Sequence, residues 1–355
     1  MQYNVFIGRV QPPHNAHIQI IKGALYAEYN KTKFTENPNR VIICIGSAFR
    51  PRTPKDPFIA KEREKMIRSC LTTEENDRVQ FAYIADSMYD DTKWLCDIQD
   101  AVDNIVAVTS TDTENTIRLV GHKKDDSSFY LDMFPQWKFI GISNIDDMHS
   151  TTIRDYYFNE NYGNGADVFT QMCKPYLPAP VFEFLLEFRD TDEFKTLQEE
   201  FTFVENYKKA WENAPYPPTF ITCDAVVVQS GHLLMVRRKE APGKGLWALP
   251  GGFVNPNETI QNAAIRELEE ETQLKVPAAV LHGSIKDSAV FDHPGRSQRG
   301  RTVTHAYYIK LNPGPLPRVK GADDAEKAQW VPINEVLASE QDLFEDHASI
   351  IKYFI

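Results

Sequence analysis

The chain has 355 residues, of which 42% are hydrophobic, a formal net charge of −11 at pH 7, and five cysteines that form no CxxC pair. The length and hydrophobic content predict two or three domains with packed cores, whereas the negative charge argues against nonspecific binding to duplex nucleic acid and the cysteine pattern argues against a disulfide framework or a zinc knuckle. No stretch approaches the ~20 apolar residues of a membrane span and the first residues lack the basic region of a signal peptide, so we expect a cytoplasmic protein with no nucleic-acid or membrane partner.

The first part of the chain alternates short apolar runs with helical patterns. The runs typical of strands are YNVFIG, RVIICIGS, VQFAYIAD, IVAVTS, IRLVGH and WKFIGI. Helical patterns such as AHIQIIKGALYAEY and IAKEREKMIRSCL separate them. Strands that alternate with helix-length spacers predict βαβ units and a parallel sheet of the α/β class, with ligands bound beyond the carboxyl ends of the strands.

The middle of the chain changes in character before a proline cluster. Apolar residues recur at helical spacing in FEFLLEF and EEFTFVENYKKAW, and Pro215, Pro217 and Pro218 then stop any helix. We therefore predict a first domain over residues 1–185, a helical linker over 186–217 and a second domain over 218–355. In the last segment TFITCDAVVV and HLLMVRR flank a turn at Gly231, THAYYIKL adds a strand and INEVLASEQD a helix, which indicates a mixed α+β domain.

The stretch RVQPPHNAH follows the first predicted strand directly. Gly8 and the two prolines let the backbone turn tightly, so that His14 and His17 lie on one face near the first turn of the next helix. Helix N-termini attract phosphate groups, and Arg9 adds a fixed positive charge. An HxxH pair alone fits a solvated helix face equally well. The neighbouring segments are therefore needed to distinguish a phosphate-binding site from such a face.

Those segments resemble a known enzyme family. GRVQPPHNAH is similar to the GRFQPxHxGH opening of the nucleotidyltransferase superfamily, and HSTTIR at 149–154 is similar to its second signature, SxTxxR. RPRTPKDPF, KEREKMI, YDDTKW and GHKKDDSSFYLDMFP extend the resemblance, over residues 1–185, to nicotinamide mononucleotide adenylyltransferases. Ala16 stands where the family has glycine, and His149 where it has serine. The resemblance implies a Rossmann-like domain that makes NAD and pyrophosphate from ATP and nicotinamide mononucleotide.

The same resemblance implies the roles of individual residues. Contacts with the phosphates and the transition state fall to His14, His17, Arg9 and Arg154. Further substrate-binding positions are Gly8, Ser150 and Thr151. Trp94 is expected to stack on the nicotinamide ring, with plain core packing as the alternative, and Arg52 is either a phosphate ligand or a solvated loop residue. Such a transfer needs no covalent enzyme intermediate, because positioning and charge stabilisation carry the rate.

A second motif lies in the last part of the chain. GFVNPNETIQNAAIRELEEETQL, residues 252–274, resembles the Nudix box Gx5Ex7REUxEExGU, and only Gln273 departs from it, where glycine is usual. With Thr259 as cap, a helix to about residue 272 brings three glutamates to one face: Glu267, Glu270 and Glu271. Carboxylates this close repel unless hard cations lie between them, and Arg266 offsets part of the charge. A solvated acidic face is the alternative, but the upstream GLWALPGG and Glu258 also match the family.

The Nudix resemblance implies that these three glutamates bind Mg²⁺, with Mn²⁺ as a substitute, and catalyse hydrolysis of a nucleoside diphosphate linked to another group. SQRGRTVTHAYY at 297–308 resembles the loop of Nudix enzymes that use ADP-ribose, which implies substrate contacts for Arg296, Arg299 and Arg301; a basic surface loop is the alternative. The whole chain thus resembles the bifunctional nicotinamide mononucleotide adenylyltransferase/Nudix hydrolase family. NADH or a dinucleoside polyphosphate as substrate, a nucleotide-sensing Nudix domain and a homo-oligomer remain open alternatives.

Overall fold

The computed structural model of the protein describes residues 1–26, 39–110, 114–122, 130–142, 149–159 and 166–355. Its chain divides into two compact units, Met1–Gln198 and Glu199–Ile355. The first part of the predicted linker, 186–217, belongs to the first unit and the rest belongs to the second. Part of the GHKKDDSSFYLDMFP segment, residues 123–129, lies outside the described residues. Within the described ranges, no helix is both long and apolar enough to span a bilayer.

The first unit contains a five-stranded parallel sheet, as the alternating pattern predicts. Its strands are β1 (Gln2–Gly8), β2 (Arg40–Ile45), β3 (Val79–Tyr83), β4 (Thr116–Gly121) and β5 (Lys138–Gly141). They are arranged in the order β3-β2-β1-β4-β5, and every neighbouring pair is parallel. Residues of β1 such as Val5 and Phe6 pack into hydrophobic clusters on opposite faces of the sheet. The α/β class is therefore confirmed for this unit.

The helices of the first unit include one that the sequence reading took for a strand. They are α1 (Asn15–Tyr26), α2 (Ala60–Ser69), α3 (Thr73–Asp77), α4 (Asp91–Thr109), α5 (Ser150–Phe158), α6 (Ala166–Cys173) and α7 (Ala179–Phe188). The prediction of a strand for IVAVTS is wrong, because these residues form the end of α4. Ile98, Val102 and Val106 are buried at intervals of four residues, whereas Val108 is 86% exposed, so the apolar stripe has helical and not strand periodicity. Next, α8 (Asp192–Ala210) begins in the first unit and ends in the second.

The second unit is built on a mixed seven-stranded sheet. Its strands are β6 (Thr219–Gln229), β7 (His232–Arg238), β8 (Trp247–Ala248), β9 (Gly251–Phe253), β10 (Ile285–Phe291), β11 (Arg301–Lys310) and β12 (Ala325–Pro332). The main path runs β10-β11-β6-β7-β12, with β8 paired to β7 and β9 paired to β6. Only β11 and β6 are parallel among these pairs. The predicted turn at Gly231 joins β6 to β7 with a positive φ of 75°.

The helices of the second unit are α9 (Ile260–Thr272), α10 (Ala278–Gly283), α11 (Ile333–Ala338) and α12 (His347–Phe354). The bounds of α9 confirm the predicted motif helix, since the hydroxyl of Thr259 accepts a hydrogen bond from the Asn262 amide at its start. Gln273 follows it with a left-handed φ of 49°, the conformation that a glycine adopts without cost. INEVLASEQD is not one helix, because α11 ends before Ser339. Parallel and antiparallel pairs with flanking helices confirm the α+β class.

Candidate functional site

The turn that follows β1 is fixed by side chains from two other segments. The amide group of Gln11 donates to the carbonyl of Phe58 at 2.9 Å and accepts from its N–H at 3.1 Å. From α5, Ser150 Oγ donates to the Pro12 carbonyl at 3.1 Å, and Arg154 Nη1 donates to the Gln11 carbonyl at 2.6 Å. The two predicted signatures are therefore adjacent in space at the carboxyl end of a central parallel strand, where α/β sheets bind ligands.

His14 and His17 form a pair of closely packed, mutually tilted rings at the start of α1, with an interplanar angle of 39°. Their ring centroids are 3.8 Å apart, and the backbone N–H of His14 donates to Nδ1 of His17 at 3.2 Å. Burial, followed by the charge of His14, lowers the pKa of His17 well below its usual value. At neutral pH the His17 ring is therefore uncharged, with its proton on Nε2, and presents an N–H donor. His14 is only 6% exposed, so the pair is not a solvated helix face.

Cationic side chains cluster beside this pair. Burial is the main cause that lowers the pKa of Lys55, and the nearby charge of Arg9 lowers it further. Burial lowers the pKa of Arg154 to about 10, with a further contribution from Arg9. Asp56 acts in the opposite direction on both groups, so a carboxylate already offsets part of this positive charge, and the excess of cations suits a phosphate group. The sequence analysis did not select Lys55, because nothing in RPRTPKDPF shows that the loop folds back toward Arg9.

The loops that carry these cations are held by a buried arginine of α2. Arg63 donates from Nη1 to the carbonyls of Arg9 and Gly46 at 2.7 and 2.8 Å, and from Nη2 to that of Ser47 at 3.0 Å. One guanidinium thus joins the segments that follow β1 and β2. A rigid fork of donors suits this role, which a lysine cannot reproduce.

Two other predicted residues have partners within the protein. Arg52 pairs with Glu62 through two contacts of 2.7 Å and is partly exposed. Trp94, in the first turn of α4, is half-buried and lies edge-on to Tyr130 with 6.2 Å between ring centroids. Tyr130 reaches the Ile7 carbonyl at the end of β1 with a 3.4 Å contact. Trp94 thus packs against the core, as the alternative of plain core packing predicts. Its neighbour Tyr130 also places it near the end of β1.

In the second unit, Arg266 organises the acidic face of α9. Its Nε and Nη2 donate to both oxygens of Glu258 at 3.0 and 2.7 Å, and its Nη1 contacts Glu267 and Glu270 at 2.8 Å each. The hydrogen bonds from Arg266 are the main cause that lowers the pKa of Glu258 to about 2. The glutamate run is therefore an ion-pair cluster centred on Arg266, in which Glu270 remains exposed.

Glu271 points the other way, into the protein. Its Oε2 accepts a hydrogen bond from the Gly251 N–H at 2.9 Å, and its carboxyl group contacts Asp324 in the loop before β12. Burial first, and then Asp324, raises the pKa of Glu271 well above its usual value. Asp324 was not predicted, because it lies fifty residues beyond the end of the motif. A Cβ on Gly251 would be 2.1 Å from the Cys223 carbonyl oxygen of β6, so β9 can pair this closely with β6 only with glycine there. A Cβ on Gly252 would displace the Glu267 carboxylate, whose Oε1 would be 2.6 Å away.

The donor set suits a hard divalent cation. Carboxylate oxygens are the ligands that Mg²⁺ and Mn²⁺ prefer, and the contact between Glu271 and Asp324 requires a proton or a cation between two acids. Within the described residues, no three acidic, histidine or cysteine side chains converge on one point. Arg266 draws Glu267 and Glu270 to itself, so a cation has to compete with this guanidinium.

The three predicted substrate arginines have different environments. Arg296 forms a two-point ion pair with Asp346 at 2.9 and 2.8 Å, and both side chains are almost fully buried. This geometry favours a structural role for Arg296 over the predicted substrate contact. Arg301 donates to the Asp292 carbonyl and is partly exposed. Arg299 lies with its guanidinium 5.2 Å from the ring centre of Phe253, next to the glycines of β9.

A further arginine, Arg238, was missed by the sequence analysis. It follows the core of β7, and its guanidinium lies 4.2 Å from the ring centre of Phe344. Burial is the main cause that lowers its pKa, followed by the charge of Arg299, while Asp324 and Glu271 act in the opposite direction. Arg238 and Arg299 therefore flank the carboxylates with positive charge, which suits a diphosphate.

Comparisons with known proteins agree with this division. A family model described as Cytidylyltransferase-like matches residues 5–155, and one described as NUDIX domain matches residues 219–354. The chain is similar to the crystal structure of a bifunctional NMN adenylyltransferase/ADP ribose pyrophosphatase from Francisella tularensis, complexed with AMP and a Mn ion. The TM-score is 0.87 and the sequence identity 35%, over 99% of this chain and 98% of that one.

Separate curated relatives match the two parts. A nicotinamide/nicotinic acid mononucleotide adenylyltransferase of Acinetobacter baylyi is 34% identical over 200 residues, which is 56% of this chain and 93% of the relative. An ADP-ribose pyrophosphatase of Methanocaldococcus jannaschii is 33% identical over 135 residues, which is 38% of this chain and 72% of the relative.

Proposed function

The chain belongs to the bifunctional nicotinamide mononucleotide adenylyltransferase/ADP-ribose pyrophosphatase family, and from this we propose that its two units catalyse two separate reactions of NAD metabolism. The first unit transfers an adenylyl group from ATP to nicotinamide mononucleotide. The second hydrolyses ADP-ribose to AMP and ribose 5-phosphate. A cation cluster beside an uncharged histidine on one unit, and an arginine-bound carboxylate cluster on the other, carry this proposal.

In the first reaction, a phosphate oxygen of nicotinamide mononucleotide attacks the α-phosphorus of ATP. The bond from that phosphorus to the bridging oxygen breaks, and pyrophosphate leaves. Arg9, Lys55 and Arg154 hold the triphosphate, and the Nε2–H of His17 donates to the phosphate oxygens as charge builds up on them. Trp94 stacks on the nicotinamide ring. An uncharged His17 suits this role, because its Nδ1 already accepts a hydrogen bond from the His14 N–H and its one ring proton, on Nε2, is left to donate.

In the second reaction, Glu267, Glu270, Glu271 and Asp324 are the residues that would hold the divalent cation, Mg²⁺ or Mn²⁺. When bound, it neutralises the diphosphate and lowers the pKa of a water molecule. Arg299 and Arg238 bind the diphosphate next to these carboxylates, which orients the scissile bond. Arg266 keeps the glutamates in place when the cation is absent, and Gly252 leaves room for the Glu267 carboxylate beside the strand.

A chromatographic product assay of the full chain tests both activities. With ATP and nicotinamide mononucleotide, we expect NAD and pyrophosphate in equal amounts; with ADP-ribose and Mg²⁺, we expect AMP and ribose 5-phosphate. NADH and a dinucleoside polyphosphate, assayed in parallel, test the alternative substrates. If ADP-ribose binds but is not cleaved at any Mg²⁺ or Mn²⁺ concentration, the second unit is a nucleotide sensor and the hydrolase proposal is wrong.

A further inference from the structure

Residues 344–347, which we call the C-terminal clamp, lead into the first residue of α12 and bind two separate loops of the second unit. On one side, the N–H of Phe344 donates to the Trp247 carbonyl at 2.8 Å, and the N–H of Leu249 donates to Nδ1 of His347 at 2.9 Å. The clamp therefore fixes residues 247–249, which lead directly into the glycines of β9.

On the other side, the clamp holds the arginine-containing loop before β11. Asp346 binds Arg296 in the buried two-point pair described above. Glu345 Oε1 accepts a hydrogen bond from Ser297 Oγ at 2.7 Å, and Glu345 Oε2 lies 4.0 Å from Nη2 of Arg299. The clamp thus contacts two of the three arginines that the sequence analysis selected as substrate ligands.

The clamp is also anchored to the sheet. His347 Nδ1 accepts a hydrogen bond, so the neutral ring carries its proton on Nε2, which lies 3.7 Å from Oδ1 of Asp224. Thr304 of β11 donates to the other oxygen of Asp224 at 2.6 Å. All three side chains are buried, which gives the clamp a rigid base in β6 and β11.

Glu345 itself has a strained backbone. Its φ is 44°, in the left-handed region that residues with a Cβ rarely adopt, and its side chain is only 7% exposed. Such conformations persist where the surroundings impose them, and they are concentrated at functional sites. A glycine at this position would relieve the strain, so the presence of glutamate indicates a use for its carboxylate.

We propose that Glu345 is a positioning residue for substrate binding, which holds Arg299 against Phe253 so that its guanidinium faces the diphosphate. Phe253 directly follows Gly252 in β9, and its carbonyl accepts a hydrogen bond from Arg266 at 3.3 Å. Arg299 is thereby fixed beside the strand that adjoins the carboxylates. An arginine without this partner has to be ordered by the substrate itself, and that cost weakens binding. This inference rests on the hydrolase function proposed for the second unit.

The test uses two substitutions in the full-length protein. Glu345→Gln keeps an acceptor for Ser297 but removes the charge that faces Arg299, and Glu345→Gly removes the carboxylate while relieving the positive φ. Glu340→Gln is the matched control, because it removes an ion pair with Lys352 in the same part of the chain. For both variants at position 345 we expect KM for ADP-ribose to rise about 3- to 10-fold, as expected for one unordered arginine. We also expect kcat to stay within about twofold, because the carboxylate cluster is untouched.

A merely structural role predicts a different pattern. Thermal unfolding identifies any variant that fails to fold, and the glycine variant is expected to melt no lower than the glutamine variant because its backbone is relaxed. Wild-type KM in both folded variants, or a loss confined to kcat, would overturn the inference. Equilibrium binding of ADP-ribose without metal provides a readout that needs no turnover. If the wild type binds but does not hydrolyse ADP-ribose, the hydrolase proposal fails, while an unchanged Kd in both variants overturns the role of Glu345.

Discussion

Replacing Glu271 by glutamine separates the metal-binding role of this residue from a structural one. The substitution keeps the shape of the side chain, so Oε1 still accepts from the Gly251 N–H and the new amide donates to Asp324. The substitution removes a negative charge. Burial and Asp324 both disfavour this charge, since they raise the pKa of Glu271 well above its usual value. Without metal, the variant is therefore expected to be more stable than the wild type at neutral pH.

The sign of this effect depends on pH. A raised folded-state pKa favours the folded protein below the ordinary glutamate pKa of about 4.3, and this advantage is lost as pH rises toward the folded-state value. For each tenfold increase in the proton affinity of Glu271 on folding, the metal-free wild type loses about 1.4 kcal/mol of stability at neutral pH, which corresponds to about 3–6 °C in the Tm of the second unit. The difference in Tm between Glu271→Gln and the wild type should therefore shrink as pH falls toward 4.

Metal binding reverses the ranking. A cation at 100 times its Kd stabilises the folded wild type by about 2.7 kcal/mol, which corresponds to roughly 5–10 °C in the Tm of the second unit. Glu271→Gln should lose most of this shift, together with at least about 100-fold in ADP-ribose hydrolysis. Glu269→Gln is the control, because Glu269 is exposed on the same helix and outside the motif positions. Wild-type hydrolysis in Glu271→Gln, or a lower metal-free Tm at neutral pH, would refute the assignment.

Three further predictions concern the first unit. His17→Ala should lower NAD synthesis by about 10²–10³ while AMP release from ADP-ribose stays unchanged, and an equal loss of both activities would contradict separate sites. Trp94→Ala should raise KM for nicotinamide mononucleotide about 2- to 10-fold and KM for ATP much less, since a stacked ring contributes about 0.5–1.5 kcal/mol; a parallel rise in both constants favours the packing role. Lys55→Gln should raise KM for ATP, whereas the exposed Lys61 provides a control substitution that leaves both constants unchanged.

Features encoded within one helix or strand could be predicted from the sequence. The helix α9 is an example, because its cap at Thr259 and the spacing of its glutamates are properties of one short run that ends at Thr272. The parallel sheet was predictable because each buried strand is a short apolar run. The IVAVTS segment failed because a short apolar run fits a buried strand and a helical stripe equally well, and the deciding buried residues, Ile98 and Val102, precede it.

Features that depend on distant segments could not be predicted. Arg296 was assigned to the substrate because its partner, Asp346, lies fifty residues further along the chain. Lys55 and Asp324 were missed for the same reason, since only the folded chain brings them to Arg9 and Glu271. The type of chemistry was thus readable from local motifs, while the full set of charges around each site was not.

The contacts of Arg266 also bear on how the second unit responds to its ionic surroundings. One guanidinium contacts Glu258, Glu267 and Glu270 at once, so part of their negative charge is already offset before any metal arrives. An entering ion has to displace this internal competitor from at least one oxygen, which lowers its apparent affinity. Occupancy should then follow the concentration of free divalent ions over a range where a bare carboxylate cluster would already be saturated. The rate of ADP-ribose hydrolysis would then depend on the concentration of free divalent ions. NAD synthesis on the first unit would be controlled separately.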